Sequence, residues 1–317
     1  MVTINDVARY AGVSNATASR ALRKIGSIRP STIQKVEKAA EELGFIINTT
    51  AQSLKTSTRN RVGLIVADVN NDYYHTFEAS IQDALKSMNY QLTITFSSEN
   101  PVDEKKSFQT LIGLGAAYIF FTPTCSTNGE IIDIARKNGI EVIQLFRKIY
   151  PNLPSIINDD EGGAYLAAQH LLSEGCKRLL LLDVDYAYLD HDIVTPNRSL
   201  GFRKALENAD GTVLSKILRL KIGHYDEEAI YRALEEFKPD AILAASNDFG
   251  YSVLRYLKKH RLPTKLIVYD DNRWLECLEV SAVHQDLATL GEAVSSFIQK
   301  KDRGSESIVI KEKLSIR

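Results

Sequence analysis

A chain of 317 residues that is 44% hydrophobic and 25% charged is long enough for two or three domains with real cores. Its net charge of −1 and ordinary composition exclude collagen-like, disordered and disulfide-scaffold classes. Three scattered cysteines (125, 176, 277) without CxxC spacing point to a reducing compartment and away from a zinc site. No signal-like segment or apolar run of about 18 residues is present, so a cytoplasmic location without membrane contact is expected.

From the N terminus, Thr3 and Asp6 make a capping box, and Ile4, Val7, Ala8 and Ala11 fall on one helical face. Gly12 breaks that pattern and Ser14 restarts it as an N-cap. Two short helices around a glycine turn are the helix-turn-helix plan, whose second helix enters the major groove of DNA. The first turn of that helix is short and polar. Asn15 has the donor–acceptor pair that matches adenine, and the methyls of Ala16 and Thr17 suit the thymine methyl. Ser19 and Arg20 follow one turn later, where they reach phosphates or a guanine. Ser31 with Gln34 reads as a second capping box. It opens a third helix striped by Ile33, Val36, Ala39, Ala40 and Leu43 and closed by Gly44. Residues 1–60 hold nine Lys or Arg against four acids, a charge of +5, which leaves −6 for the rest of the −1 chain. A basic headpiece on an acidic body suits phosphate neutralisation, so DNA is the expected partner.

Thr3-Ile-Asn-Asp-Val-Ala, Ala11-Gly-Val-Ser, Thr17-Ala-Ser-Arg20 and Ala39-Ala-Glu-Glu-Leu-Gly-Phe45 resemble the headpiece of the lactose-repressor (LacI/GalR) family of bacterial transcription regulators. Asn48-Thr-Thr-Ala51-Gln-Ser-Leu54 is similar to that family's hinge helix. The resemblance implies a homodimer whose paired hinge helices open the minor groove at the centre of a pseudo-palindromic operator. Leu54 would be the intercalating wedge and Ala51 the small residue that lets the helix sit deep. It also makes Thr3, Ser14, Asn15, Ala16, Thr17, Ser19, Arg20, Ser31, Asn48, Ala51 and Leu54 the expected DNA-binding set, with Asn15 and Ala16 as base readers. Ala18 and Ala21 stand where the family usually has larger aliphatics, and Arg23 where an Asn is common. The expected boundaries are 1–46 for the headpiece, 47–60 for hinge helix and linker, and 61–317 for the effector and dimerisation domain.

Beyond Arg61 the sequence alternates strand-like and helix-like runs. Strands are expected at 62–69, 91–96, 117–122, 141–145, 156–158, 178–183, 216–220, 241–245 and 265–269. Helices are expected at 73–88, 102–115, 128–138, 161–174, 199–208, 226–237, 249–260 and 286–300. Continuous apolar runs such as Gly63–Ala67 fit strands buried on both faces of a parallel sheet. The expected fold class is thus an all-α helix-turn-helix headpiece with a hinge helix, followed by two doubly wound α/β lobes. Those lobes are similar to periplasmic sugar-binding proteins. The first lobe would comprise 61–156 and 286–303, the second 157–285 and 304–317, with a cleft between them.

Ligands of open α/β sheets bind beyond the carboxyl ends of the strands. The polar residues there are Tyr73, Arg147, Asp159, Arg198, Tyr225, Asn247, Asp248, Asp270 and Gln285. Carboxylates, amides, a forked arginine and a tyrosine face together suit a polyol. By resemblance, Arg198 matches the family's effector-gripping arginine, and Asn247 and Asp270 match hydroxyl-binding positions. Two departures concern the pocket. The loop 183–197 replaces a short glycine- and serine-rich connection, and either reshapes the pocket or is a surface insertion. Val268 replaces a glycine before Tyr269-Asp270.

No G-x-S-x-G elbow, P-loop or metal-spaced histidine cluster occurs, and six scattered histidines read as structural or surface groups. No enzyme activity, catalytic residue, cofactor or metal is expected. The resemblance implies a repressor of a carbohydrate-utilisation operon, released from DNA by a small sugar-type effector. The competing possibility is a regulator of the same fold answering to a purine, a nucleoside or a phosphoprotein co-repressor.

Overall fold

The structure, a computed structural model, describes residues 2–45, 59–69, 72–185, 197–209, 211–221, 226–300 and 304–317. The chain divides into two compact units, Met1–Thr58 and Arg59–Arg317.

In the first unit, α1 (Ile4–Tyr10), α2 (Asn15–Leu22) and α3 (Pro30–Glu42) enclose a small core. The Asp6 carboxylate accepts from the Thr3 backbone N–H at 2.9 Å and from the Thr3 hydroxyl at 2.6 Å, which closes the start of α1. Gly12, at φ +62°, turns the chain out of that helix through the left-handed region. Ser14 Oγ then accepts from Thr17 N–H at 3.2 Å and opens α2. The third helix departs from expectation. Its N-cap is Arg29, with no side-chain cap, and Ser31 lies exposed inside the first turn. Pro30 decides this, because its fixed φ and missing N–H suit the first helical position. The buried residues are Val7, Val36 and six alanines, among them Ala18 and Ala21 at 0% exposure. At about 0.8 kcal/mol per buried carbon group, this core is held by small increments.

The second unit holds two six-stranded sheets. The first joins β1 (Arg61–Val66), β2 (Gln91–Phe96), β3 (Tyr118–Phe121), β4 (Glu141–Leu145), β5 (Ser155–Asn158) and β11 (Ser307–Ile310). Their order is β11–β5–β4–β3–β1–β2, and every pairing is parallel. Helices α4 (Asp72–Ser87) and α12 (Leu287–Gln299) cover one face through Phe77, Ile81, Leu290 and Phe297. Helices α5 (Pro101–Gly113) and α6 (Gly129–Lys137) cover the other through Phe108, Leu111 and Ile131. Alternate residues of β1 feed both cores: Leu64 and Val66 enter the first, Ile65 the second. Gly63 admits Leu111, since a Cβ there would come 2.5 Å from that leucine's methyl.

The second sheet joins β6 (Arg178–Val184), β7 (Leu214–Leu220), β8 (Ala241–Ala244), β9 (Lys265–Tyr269), β10 (Ser281–Gln285) and β12 (Glu312–Ser315). Its order is β12–β10–β9–β8–β6–β7, parallel except for the antiparallel β10–β12 pair. Its helices are α7 (Asp160–Ser173), α8 (Arg198–Glu207), α9 (Glu227–Phe237), α10 (Asn247–His260) and the short α11 (Arg273–Cys277). Val268 is fully buried, and Gly250 in α10 makes its room: a Cβ at 250 would come 2.6 Å from either Val268 methyl.

The chain crosses between the sheets after β5, after β10 and after β11. Helix α12 packs in the first lobe, as the family resemblance implies. The expected assignment of all of 304–317 to the second lobe is corrected: β11 pairs with β5 in the first sheet, and only β12 joins the second. A single lysine separates the two strands, too brief a break for patterning to divide them. Among the described residues, no helix is long and apolar enough to cross a membrane.

Candidate effector pocket and nucleic-acid interface

The headpiece surface is built from local contacts. Ser14, Asn15 and Ala16 are consecutive exposed residues at the start of α2, and Arg20 is exposed near its end. Ser14 and Thr17 share a hydroxyl–hydroxyl bond of 2.8 Å. Asn15 Nδ2 donates to Asn5 Oδ1 at 2.6 Å, so α1 orients the amide expected to read a base. Ser19 is half-buried and occupied, because Arg23 donates to its carbonyl at 3.0 Å and its hydroxyl at 2.6 Å. Thr3 likewise spends its hydroxyl on Asp6. Asn48, Ala51, Leu54 and Tyr225, the side chain of Tyr73 and the segment 186–196 lie outside the described residues.

In the second lobe the strand ends converge on Arg198, the first residue of α8, 8% exposed. Its Nε donates to Asp160 Oδ1 at 2.7 Å and one terminal nitrogen to the Ala245 carbonyl at 2.5 Å. The guanidinium lies 3.9 Å over the centroid of the Tyr269 ring. Tyr269 in turn donates its hydroxyl to the Asp160 carbonyl at 3.1 Å. The arginine is thereby fixed by a carboxylate, a carbonyl and a ring face.

Around this clasp the acids outnumber the cation. Burial pushes the Asp160 carboxyl up and Arg198 opposes the shift. Burial raises Asp270 to about 6, with Arg198 pulling it back and Asp160 adding to it. Burial raises Glu312 to about 8, with Asp160 adding to the rise. Asp183, at the end of β6, is also raised by burial. Gln285 links the set by donating to Glu312 Oε1 at 3.1 Å. Asn247, at the start of α10, stands apart: its Oδ1 and Nδ2 are both buried, and neither has a hydrogen-bond partner. Asp248 beside it is exposed. A cavity of about 290 Å³ opens beside Asp270 and Gln285, lined also by His284 and Leu287. A larger one of about 510 Å³, between His170, Glu174, Arg261 and Lys265, lies by the amino end of β9, away from the carboxyl ends where such sheets bind ligands.

The first lobe supplies Arg147, 5% exposed, after β4. It makes a bidentate pair with Glu99 at 2.6 and 2.8 Å and donates to the Pro123 carbonyl at 3.1 Å. Ser98 and Glu99 are both left-handed, at φ +51° and +52°, in the loop that brings the carboxylate to the arginine. Phe146 before Arg147 and Asp270 after β9 are left-handed too, at +63° and +70°. Each stands at the third strand of its sheet order, so the lobes aim a side chain from matching places. Non-glycine residues held there cost roughly 1–3 kcal/mol each, a strain that gathers at binding sites.

One expected residue is redirected. Asp159 caps α7, accepting from Gly162 N–H at 3.1 Å, and pairs with Lys311 at 2.6 Å. The carboxylate that enters the cluster is its neighbour Asp160, visible in the sequence as half of an acid pair. Sequence reasoning also missed Glu99, Tyr269 as the ring under Arg198, and Glu312. Tyr269 meets Asp160 across 109 residues and Glu312 lies over Gly163, so nothing local marks either.

Comparison with known proteins agrees with both units. Residues 3–48 match the family described as bacterial regulatory proteins, lacI family. Residues 59–308 match the periplasmic binding proteins and sugar binding domain of the LacI family. The chain is 27% identical over 273 residues to a ribose operon repressor of Halalkalibacterium halodurans, covering 84% of this chain and 78% of the relative. It is 27% identical over 320 residues to catabolite control protein A of Priestia megaterium, covering 97% and 96%. Among solved structures, a lac repressor dimer bound to operator and the anti-inducer ONPF superposes with a TM-score of 0.81 at 21% identity, covering 100% of this chain and 98% of that one.

Proposed function

The chain belongs to the lacI family of bacterial transcription regulators, with a helix-turn-helix headpiece and a sugar-binding-type domain, and from that premise we propose that it is a sugar-responsive repressor. As a homodimer it binds a pseudo-palindromic operator of a carbohydrate-utilisation operon, the protein's two-fold axis matching that of the DNA. Asn15 and Ala16 read bases, Arg20 and the basic surface hold phosphates, and Leu54 wedges the minor groove. A small hydroxylated effector enters the cleft between the lobes, changes their angle and releases the DNA.

The observation that carries the effector reading is the unpartnered buried amide of Asn247, two residues beyond the carbonyl of Ala245 that helps to clasp Arg198. A buried donor and acceptor left unsatisfied cost about 1–3 kcal/mol each, and a ligand hydroxyl removes that cost by bonding both. The charge pattern narrows the ligand. Arg198 is engaged by Asp160 and Arg147 by Glu99, so a phosphate would compete with a carboxylate for either cation, at a cost. A neutral sugar, in keeping with the ribose operon relative, meets Asp270, Asn247 and Gln285 without that cost.

The test is a thermal-shift screen of the full chain against neutral sugars, sugar phosphates and purines, followed by an operator band shift with each hit. A neutral sugar that raises Tm and releases DNA supports the proposal. A sugar phosphate or purine as the sole stabiliser refutes the neutral-sugar reading, and a hit that tightens DNA binding makes the effector a co-repressor.

A further inference from the structure

The three crossings between the lobes are stitched by side chains. Lys311 on the third crossing pairs with Asp159 on the first at 2.6 Å, and Lys313 pairs with Asp286 on the second at 2.6 Å. Both lysines are more than half exposed, so these pairs are weak and screened by salt. Glu312 between them is different. It is 6% exposed, opens β12 directly after the third crossing, and accepts from Gln285 at the second. Its Oε2 lies over Gly163 in the first turn of α7, after the first crossing, so closely that a Cβ there would come within 1.8 Å. That oxygen has no hydrogen-bond partner. One buried carboxyl therefore meets the second-lobe end of all three connections between the lobes.

The charged and titratable groups facing it are Asp160 on α7, Arg198 on α8, and Tyr269 and Asp270 at the end of β9. On its own strand, Lys313 is turned to Asp286. We propose that Glu312 is a positioning residue that ties the three crossings together and couples the angle between the lobes to the charge state of the Arg198 cluster. Carrying a proton, it packs on Gly163 beside Asp160 and Asp270 without repulsion. Ionised, it is repelled by both, and the crossings move apart to let water reach it. Burial places the exchange between these forms near pH 8, so small changes at Asp270 or Asp160 are enough to shift it. The link from this pivot to an effector rests on the function proposed above, whereas the pivot itself does not.

The experiment is a spin-label distance measurement on the ligand-free full chain, with labels at Lys105→Cys in the first lobe and Glu236→Cys in the second, both exposed, and exposed Cys277 removed as C277S. Between pH 6 and 9.5 the inter-lobe distance is expected to shift with a midpoint near 8. Glu312→Gln keeps the shape without the charge and is expected to hold the low-pH distance throughout, with its circular dichroism unchanged. Glu312→Ala, which leaves a gap over Gly163, is expected to broaden the distance distribution at every pH. A distance independent of pH in the parent, or a shift that survives in Glu312→Gln, overturns the proposal. Repeating the measurement with ribose separates the two claims: a pH shift without any response to ribose or other neutral sugars supports the pivot and counts against the effector reading.

Discussion

The headpiece and the two-lobe unit solve the placing of polar groups in opposite ways. In the headpiece, the side chains expected to face DNA are held by neighbours three to ten residues away, at Thr3–Asp6, Ser14–Thr17, Ser19–Arg23 and Asn5–Asn15. In the lobes, Arg198 reaches Asp160 across 38 residues, Ala245 across 47, and Tyr269 meets Asp160 across 109. The first arrangement is local and largely exposed. The second is long-range and buried, with orphaned atoms at Asn247 and Glu312. A surface that reads DNA needs groups presented to solvent, whereas a pocket that senses a ligand can hold unsatisfied groups until the ligand arrives.

The largest effect should come from breaking the buried pair. Arg198→Ala leaves Asp160 buried without its cation, which costs about 3–5 kcal/mol. Calorimetry should show the lobe transition falling while the headpiece transition stays; equal shifts in both would mean that the two units do not melt independently. Asn247→Ala sharpens the contrast, because its amide has no protein partner to lose. The lobes should keep their stability, while sugar affinity measured by titration calorimetry falls about tenfold, the equivalent of ~1.4 kcal/mol. On the headpiece side, Ser14→Ala removes the cap of α2 and should cost about 1 kcal/mol there, read by urea denaturation of residues 1–58 against the full chain.

The smallest effect is one of direction. Asp270 and Glu312 have folded-state values raised to about 6 and about 8, so they bind protons more tightly folded than unfolded. Their stabilisation is complete below the ordinary carboxylate range, near 4, and is lost as pH rises through those values. Asp6 is shifted the other way: the Thr3 hydrogen bonds lower it, so its contribution holds above the ordinary range and is lost as pH falls below it. From pH 5 to 8.5 the lobe transition should therefore move down in temperature while the headpiece transition does not. A lobe transition that rises over that interval would contradict the buried-acid description.

The same contrast explains what the sequence revealed. Caps, the Gly12 turn and helical stripes are encoded within a few residues, so the headpiece was legible nearly to the residue, apart from α3, where Pro30 outranked Ser31. Strands β3, β8 and β9 stood out because buried parallel strands are unbroken apolar runs. The lobe to which β11 belongs was not legible, because pairing across some 150 residues leaves no local mark. In the candidate pocket, place after a strand pointed to Asn247 and Asp270, and the family resemblance pointed to Arg198. What each touches was hidden: that Glu99 engages Arg147, that Asp159 caps a helix while Asp160 holds the arginine, and that Glu312 sits among the crossings.

The central claim is that the cleft is an effector site for a neutral hydroxylated ligand gripped through Asn247 and the Arg198 cluster. Its most direct test is titration calorimetry of the full chain with the neutral sugar that stabilises it most, run beside that sugar's phosphate and repeated with Asn247→Ala. The account predicts saturable binding of the neutral sugar, weakened about tenfold in the variant, and no comparable binding of the phosphate. Tighter binding of the phosphate, or neutral-sugar binding unchanged in Asn247→Ala, would contradict it.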